Sequence, residues 1–525
     1  MKPQHFQIVV VGSGFAGSLM AMIALRLGLS TALVERRRHP RFVIGESSTP
    51  LANLLLEEIA DEYDLPFVRP LCKWGTWQKQ TPQLACGLKR GFTFYQHQLD
   101  QPLPPDPERR RQLLVGASPR EEIADTHWYR PDFDHYLVQQ GRNLGVAYWD
   151  EVELTGARED ADGMRLSGQR LGESVEFVGD FVIDATGPRG FLHRSLGLPE
   201  KTFAAFPATQ ALFSHFADVS PLPDCFHSAD GRVPPYPVEQ AAVHHVFPGG
   251  WIWVLKFNNG LTSAGVAATD SLANALDFRS GEPAWQKLLQ RLPSLAEMFG
   301  LARAVIPFIH QPRIAFQSEI VTGRHWALLP SAAGVVDPLL STGFPLTLLG
   351  VTRLARLLKS HWERPSFGPG LGEFAQLTAL ELEATARLVG ALYATMDRFE
   401  LFSNLSLLYF AAASFSETAR RLGKPQLADS FLLCRHPVFS KQLQQFCEAA
   451  CQRPSAEEAG DLQRRIRQAI EPFDVAGLTD RSRHPWYPSI ASDLYRSAPK
   501  LGADKTEVSA MLAKCGFTLG AEQVA

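Results

Sequence analysis

"QIVVVGSGFAGSLMAMIALRLGLSTALVE", residues 7–35, decides the fold. Residues 7–11, QIVVV, have the β-branched composition and length of a buried parallel strand. GSGFAG (12–17) is a small-residue turn. SLMAMIALRLG (18–28) has helical periodicity and stops at Gly28. STALVE (30–35) is a second strand that ends on Glu35. Strand, glycine turn, helix and strand within about 30 residues make a βαβ unit of the dinucleotide-binding kind. Gly12 permits the tight turn, Gly14 lets the backbone approach a pyrophosphate, and Gly17 lets helix and strand pack closely. The helix N-terminus offers unpaired N–H groups to phosphates. Glu35 is placed to accept hydrogen bonds from ribose hydroxyls, and Ala16 and Arg36 stand among the expected cofactor contacts. At this point FAD and NAD fit equally well.

The bulk numbers agree with a soluble enzyme. A chain of 525 residues is too long for one simple core, so several closely packed units are expected. Hydrophobic residues make up 45% and charged residues 20%, the balance of a globular protein. Lys and Arg total 52 against 55 Asp and Glu, a net charge of −3, which gives no global case for nucleic acid. The basic run ERRRHPRF (35–42) reads as a solvated loop. Seven scattered cysteines without a CxxC pair argue against a disulfide framework or a zinc ribbon. The pair His244–His245 lacks further ligand spacing, so no metal is expected. The N-terminal segment reads as a strand, not a signal peptide. The apolar stretch LSLLYFAAASF (405–415) is too short to span a bilayer. The expected localisation is cytoplasmic, with no integral membrane segment.

Further along, 51–62 reads as a helix, 63–115 as a mixed region, and THWYRPDFDHYLVQQGRNLGV (126–146) as a segment that opens a helix at Arg130. Strands are expected at 148–156 and 174–183, and 205–269 alternates like a β-sheet platform. Helical patterns dominate from 343 onward, with DRFELFSNLSLLYFAAASFSETARRLG (397–423) read as a helix pair. VIDATG (182–187) is a second strand-to-glycine turn, bearing Asp184 and Gly187. ALLPSAAGVVDPLLSTGFPLTLLG (327–350) is a third, with a helix starting near Thr342–Pro345. Asp337, ahead of Pro338, reads as a turn cap. The fold class is therefore α/β with α+β character: a Rossmann-like FAD-binding domain, an inserted β-sheet substrate platform and a helical C-terminal region. The expected boundaries are 1–200 with 315–365 for the FAD-binding domain, with 63–125 partly on the substrate side. Residues 201–314 make the platform, and 366–525 the helical region covering the substrate pocket.

Three separated glycine turns resemble the aromatic-hydroxylase-type flavoproteins, whose one long cofactor crosses a domain. With a single GxGxxG, a second domain for NAD(P)H is not evident, so reduced flavin is expected from a partner reductase. Within that superfamily the chain resembles the flavin-dependent halogenases. GESSTP (45–50) is similar to their loop over the isoalloxazine, VVDPLLSTGF (335–344) to their D-P-x-x-S-x-G segment beside the halide, and GWIWVLKF (250–257) to their W-x-W-x-I-P motif. GLKRGFTF (87–94) has the spacing of the segment that carries the family's essential lysine.

The resemblance implies FAD, O2 and a halide ion as reactants, with hypohalous acid passed through a tunnel to an electron-rich aromatic substrate, free or carrier-bound. It implies Lys89 as the residue that holds hypohalous acid, with a surface strand lysine beside Arg90 as the alternative, and Glu46 as a second catalytic candidate. Ser47, Arg130, Asp184, Gly187, Ser331, Gly334, Thr342 and Gly343 join the cofactor contacts, Thr342 and Gly343 also face the halide, and Trp251 and Trp253 wall the substrate pocket. A salt bridge from Arg130 to Asp132 or Asp134 is the alternative to its cofactor role.

Three departures stand out. The glutamate of tryptophan halogenases is Leu340 here, the Gly-Asp before the third turn is Pro330–Ser331, and Ile-Pro of the tryptophan motif is Leu255–Lys256. Strand alternation puts Lys256 on the face opposite both tryptophans. These departures keep a halide-independent FAD monooxygenase or dehydrogenase open as the alternative function, and beyond it a flavin-binding partner without turnover.

Overall fold

The computed structural model describes residues 3–226 and 232–517. Its first sheet is built around Gln4–Val11, which pairs in parallel with Thr31–Val34 on one side and Glu173–Asp184 on the other. Ala147–Trp149 extends the sheet past Thr31–Val34, and Trp326–Leu328 adds to Glu173–Asp184, both in parallel. An antiparallel extension, Val152–Asp160 with Gly163–Arg170, joins through Glu173–Asp184. The segment expected as one strand at 148–156 is thus two strands. Glu151 between them has φ +54°, a left-handed turn that no continuous strand accommodates.

The helix Phe15–Arg26 is buried over its first ten residues against this sheet. Its even hydrophobicity reflects a position covered on all sides, by the sheet and by the helices Arg130–Leu144 and Gly343–His361. Arg130–Leu144 ends at Gly145, whose left-handed φ of 106° releases the chain into the next strand.

Among the described residues the second sheet has nine strands. Thr209–Ala217, Thr262–Thr269, Gly250–Lys256 and Ala242–Phe247 follow one another antiparallel, and Gly91–Gln96 adds to the last of these in parallel. Gln112–Gly116 and then Trp486–Tyr487 complete that edge. The platform therefore draws two strands from the region before 125 and one from the C-terminal region. Its faces alternate as strand geometry requires. Trp251, Trp253 and Leu255 face the main core, shared with the first sheet and the long helices. Ile252 and Val254 face a second core, closed by the helices Glu282–Gln290 and Pro293–Phe299.

From Gly343 on, helices dominate: Gly343–His361, Phe367–Ala394, Phe399–Arg421, Phe439–Cys451 and Ala456–Ile470. Residues 397–423 hold one helix of 23 residues, not a pair, because no glycine or proline breaks Phe399–Arg421. Among the described residues no helix is long and apolar enough to cross a membrane.

Candidate active site

A cavity of about 800 Å³ opens at the C-terminal ends of the parallel strands, where open α/β sheets bind ligands. All three glycine turns reach its wall. Gly12 and Gly14 come from the first, Ala185–Pro188 from the second, and Pro330, Ser331, Gly334, Thr342 and Gly343 from the third. Gly12 has φ +98°, and a Cβ there would lie 2.8 Å from the Ala185 carbonyl oxygen. A Cβ on Gly17 would lie 1.9 Å from the Gly12 oxygen, so Gly17 serves helix–turn packing and stays off the wall. At Gly187 and Gly343 a Cβ would meet nothing within 4 Å, so bare backbone faces open space. Five arginines (36, 37, 41, 130 and 194) line the cavity against Glu35, Glu153 and Asp337, an excess suited to a diphosphate. Ala16 is also at the wall.

Glu35 lies at the wall with its carboxylate engaged. Ser13 N, Ser13 Oγ and Arg41 Nη2 donate to one oxygen and Arg37 N to the other. Burial pushes its pKa up, but Arg41 and the N–H donors outweigh that and hold it below the ordinary value. Arg130 forms the expected salt bridge with Asp134 at the cavity wall. It lines the cavity while bonding Asp134 at 2.7 and 2.8 Å and the Gly45 carbonyl at 2.8 Å. The third turn is strained ahead of its helix. Leu340 and Ser341 adopt φ of 65° and 55°, a left-handed conformation uncommon outside glycine. Asp337 anchors that turn: it accepts from Leu339 N at 3.0 Å, Trp251 Nε1 at 3.2 Å and the Tyr393 hydroxyl at 2.9 Å. Burial raises its pKa to about 7, against these three donors.

A second cavity, of about 150 Å³, lies under the C-terminal helices. Segment 44–51 runs from one cavity to the other: Ile44 and Gly45 line the first, Thr49, Pro50 and Leu51 the second. Lys89 is fully buried and tied to the middle of this segment. Its Nζ donates to Ser47 Oγ at 2.8 Å and Ser48 O at 2.5 Å, and stands 3.8 Å from the centre of the Phe92 ring. A surface position for this lysine is thereby ruled out.

Asp125 is the cross-strand partner of Lys89 in the short antiparallel pair Cys86–Lys89 with Asp125–Trp128. Burial lowers the Lys89 pKa, opposed by Asp125, and raises that of Asp125, opposed by Lys89. Asn53 Nδ2 donates to Asp125 at 2.8 Å, and Phe92 and Asp125 both line the second cavity.

The profile of the tryptophan halogenases matches residues 126–402, more than half of the chain. The chain belongs to the tryptophan halogenase family. This halogenase is 28% identical over 412 residues to the monodechloroaminopyrrolnitrin halogenase PrnC of Pseudomonas fluorescens, covering 77% of its own length and 70% of that protein. Against the tetracycline 7-halogenase of Kitasatospora aureofaciens the identity is 24%, over 97% of this chain and 95% of the relative. The crystal structure of halogenase PltM in complex with phloroglucinol and FAD superposes with a TM-score of 0.81, at 24% identity, over 92% of this chain and 99% of that one. Membership makes the protein an FAD-dependent oxidoreductase of the halogenase type.

Within this halogenase several expected positions need correction. Asp184 is fully buried behind the second turn and away from the cavity. Its carboxylate accepts from Thr186 N, Thr186 Oγ1 and Leu192 N, so it shapes the turn that presents Gly187. Ser47 is also off the wall, its hydroxyl taken by Lys89. Glu46 lines neither cavity. Its Oε1 is 2.7 Å from His215 Nε2, because the loop turns its side chain toward the platform. Trp251 and Trp253 line neither cavity either. Both are buried on the inner platform face, their rings 5.7 Å apart, and Trp253 Nε1 donates to Ser263 Oγ at 3.2 Å. They end a buried row that passes through His244 (5.3 Å from Trp251) and Phe94 (4.4 Å from His244). Lys256 points to the other face and pairs with Glu239, so the change from proline does not touch the wall of either cavity. Asp125 and Asn53 went unrecognised in the sequence. No motif flags them, and only the strand pairing brings them to Lys89.

Proposed function

We propose that the protein uses reduced FAD, O2 and chloride or bromide to halogenate an electron-rich aromatic, free or carrier-bound, held in the second cavity. The carrying observation is the segment 44–51, which borders both cavities while the buried amine of Lys89 is bonded to its middle.

In this reading the larger cavity holds FAD. Gly12, Gly14, Ala16 and Gly187 bring backbone close to the diphosphate and ribose, Arg36 and Arg130 supply positive charge, and Glu35 accepts from the ribose through its less crowded oxygen. Ser331 faces the ribityl chain, while Gly334, Thr342 and Gly343 face the flavin ring and the halide. Bound flavin supplies the oxidation of halide to hypohalous acid. The chain then has to hold that reagent and keep it off other groups. Lys89, its pKa lowered by burial, offers an N–H to the hypohalous oxygen and reaches its neutral form more readily than an exposed lysine. Ser47 and the Ser48 carbonyl fix the direction of its amine. His127 and His244 are kept neutral by burial and by Lys89, so neither adds a competing charge. Glu46 contributes by positioning His215 beneath the loop. Reduced flavin comes from a separate reductase.

The test supplies reductase-generated reduced FAD with bromide or chloride and a panel of phenols and indoles. Halogenated product should form only with halide present. Lys89→Ala should lower its rate at least about 100-fold, while FAD affinity stays within about three-fold of the parent. Hydroxylated product independent of halide would replace this reading with that of a monooxygenase, and absence of flavin binding would sink both.

A further inference from the structure

The amine of Lys89 is aimed by its bonds to Ser47 Oγ and Ser48 O, so whatever fixes those two residues fixes the amine. The strand Asp125–Trp128 holds the backbone of this loop: Ser48 N donates to Thr126 O at 3.2 Å, and Trp128 N donates to Glu46 O at 2.6 Å. The Ser48 side chain is held from another element. Its hydroxyl donates to Asn53 Oδ1 at 3.0 Å, and Asn53 Nδ2 donates to Asp125 Oδ1 at 2.8 Å. One buried amide from the helix Pro50–Glu62 thus ties the loop that Lys89 bonds to the carboxylate that stands across the strand pair from Lys89.

The helix itself does not need this side chain. Its first turn is capped by Thr49, whose hydroxyl accepts from Ala52 N at 3.3 Å, and Asn53 N already bonds Thr49 O at 2.9 Å. Burying an amide costs free energy unless its ends are bonded, and here both ends are. The two bonds select asparagine. Ser48 needs an acceptor and Asp125 a donor; leucine, of similar size, supplies neither, and aspartate would set a second carboxylate against the first. The amide also bears on the charges. Burial pushes Asp125 toward its neutral form, and Lys89 and the Asn53 donor oppose that; burial pushes Lys89 toward its neutral amine, and ionised Asp125 opposes that. Glu417, Arg421 and Tyr409 also face Asp125 from the helix Phe399–Arg421, and His127 and His244 face Lys89 from the strands Asp125–Trp128 and Ala242–Phe247.

We propose that Asn53 is a positioning residue of the halogenation site: through Ser48 it aims the Lys89 amine, and through Asp125 it keeps a negative charge opposite that amine. This rests on Lys89 being the residue that holds hypohalous acid. Asn53 touches neither reagent nor flavin in this role, and it acts only through the two residues it bonds.

Two readouts test this. In the full-length protein loaded with oxidised FAD, isotope-labelled lysine Cε reports the titration of Lys89 by NMR, its signal assigned by its loss in Lys89→Met. Asn53→Leu removes the donor from Asp125 and should lower the Lys89 midpoint. Asn53→Asp keeps the acceptor for Ser48, adds a carboxylate and should raise that midpoint, each shift being about half a pH unit or more. A side chain that only supports the fold would shift both midpoints alike or not at all. With reductase-generated reduced FAD, bromide and the phenol and indole panel, Asn53→Leu should give at least about ten-fold less halogenated product per flavin oxidised than the parent, at unchanged FAD affinity. Should Asn53→Leu fail to fold, the near-isosteric Asn53→Asp still decides by its midpoint. Midpoints that stay in place or move together overturn the inference. Where Lys89→Ala loses product, so does a folded Asn53→Leu that stays within about two-fold of the parent. Opposite midpoint shifts beside undiminished product in Lys89→Ala would defeat the halogenase role of Lys89 alone. Unmoved midpoints beside lost product in Lys89→Ala would defeat this inference alone.

Discussion

Asp337 shows how much one side chain can carry. The sequence marks it as a turn cap, and it does accept from Leu339 N. It also holds an indole from the platform and a phenol from the helix Phe367–Ala394. Its pKa of about 7 in the folded protein, raised from an ordinary 3.8 by burial, has a consequence of definite sign. The folded chain keeps this proton up to about pH 7, and the unfolded chain releases it near 4. Unfolding therefore releases a proton between those values, and this residue's contribution to stability falls as pH rises through that window. We expect the flavin-free parent to lose stability relative to Asp337→Asn between pH 4 and 7, by at most about 4 kcal/mol. Denaturant melts at intervals of half a pH unit check this. Two profiles that stay parallel would mean that Asp337 is ionised throughout. Lys89 was legible at the same scale because a motif surrounds it, but its depth was not: a lysine beside Arg90 reads equally well as a surface residue. Asp125 was invisible, since ADTHW resembles any strand.

At the scale of elements, two glycines of the first and third turns make opposite predictions. Gly17 packs the helix Phe15–Arg26 onto its own turn, and an added Cβ would lie 1.9 Å from backbone oxygen. Gly17→Ala should destabilise the chain by several kcal/mol, on the order of the largest point-mutant effects, seen as a lowered melting temperature without ligand. Gly343 begins the helix Gly343–His361 and has open space around its Cβ position. Gly343→Ala should leave the ligand-free melting temperature unchanged or slightly raised, since alanine gains up to about 1 kcal/mol over glycine in a helix. It should weaken FAD about ten-fold, and unchanged FAD affinity would remove Gly343 from the flavin contacts. Both glycines could be read in advance because GxGxxG and a proline-containing helix start carry local geometry. The platform was legible only in part. Its alternation over 205–269 is local, but its edge is completed by Gly91–Gln96, paired in parallel to Ala242–Phe247, and by Trp486–Tyr487. Pairings over that separation leave no periodic signature.

For the molecule as a whole, the larger cavity is assembled from segments near 12, 36, 130, 187, 331 and 343. A ligand that touches all of them resists their separation. FAD at about 100 times its dissociation constant should stabilise the fold by about 2.7 kcal/mol, a rise in melting temperature readable by fluorescence; no rise at saturation would mean that unfolding leaves the site intact. The larger cavity was the most legible part of the chain because each of its turns is contiguous. The smaller cavity was the least legible, because its wall is collected from residues 49 to 517. That wall also divides labour along the chain. Its residues Thr49, Leu51, Phe92 and Asp125 precede residue 130, as does the neighbouring Lys89, whereas Tyr409, Phe410, Arg421 and the helix Lys505–Lys514 come from the last quarter. On the proposed reading, in which this cavity holds the substrate, editing the last quarter would change the substrate range while Lys89 and its neighbours stay as they are.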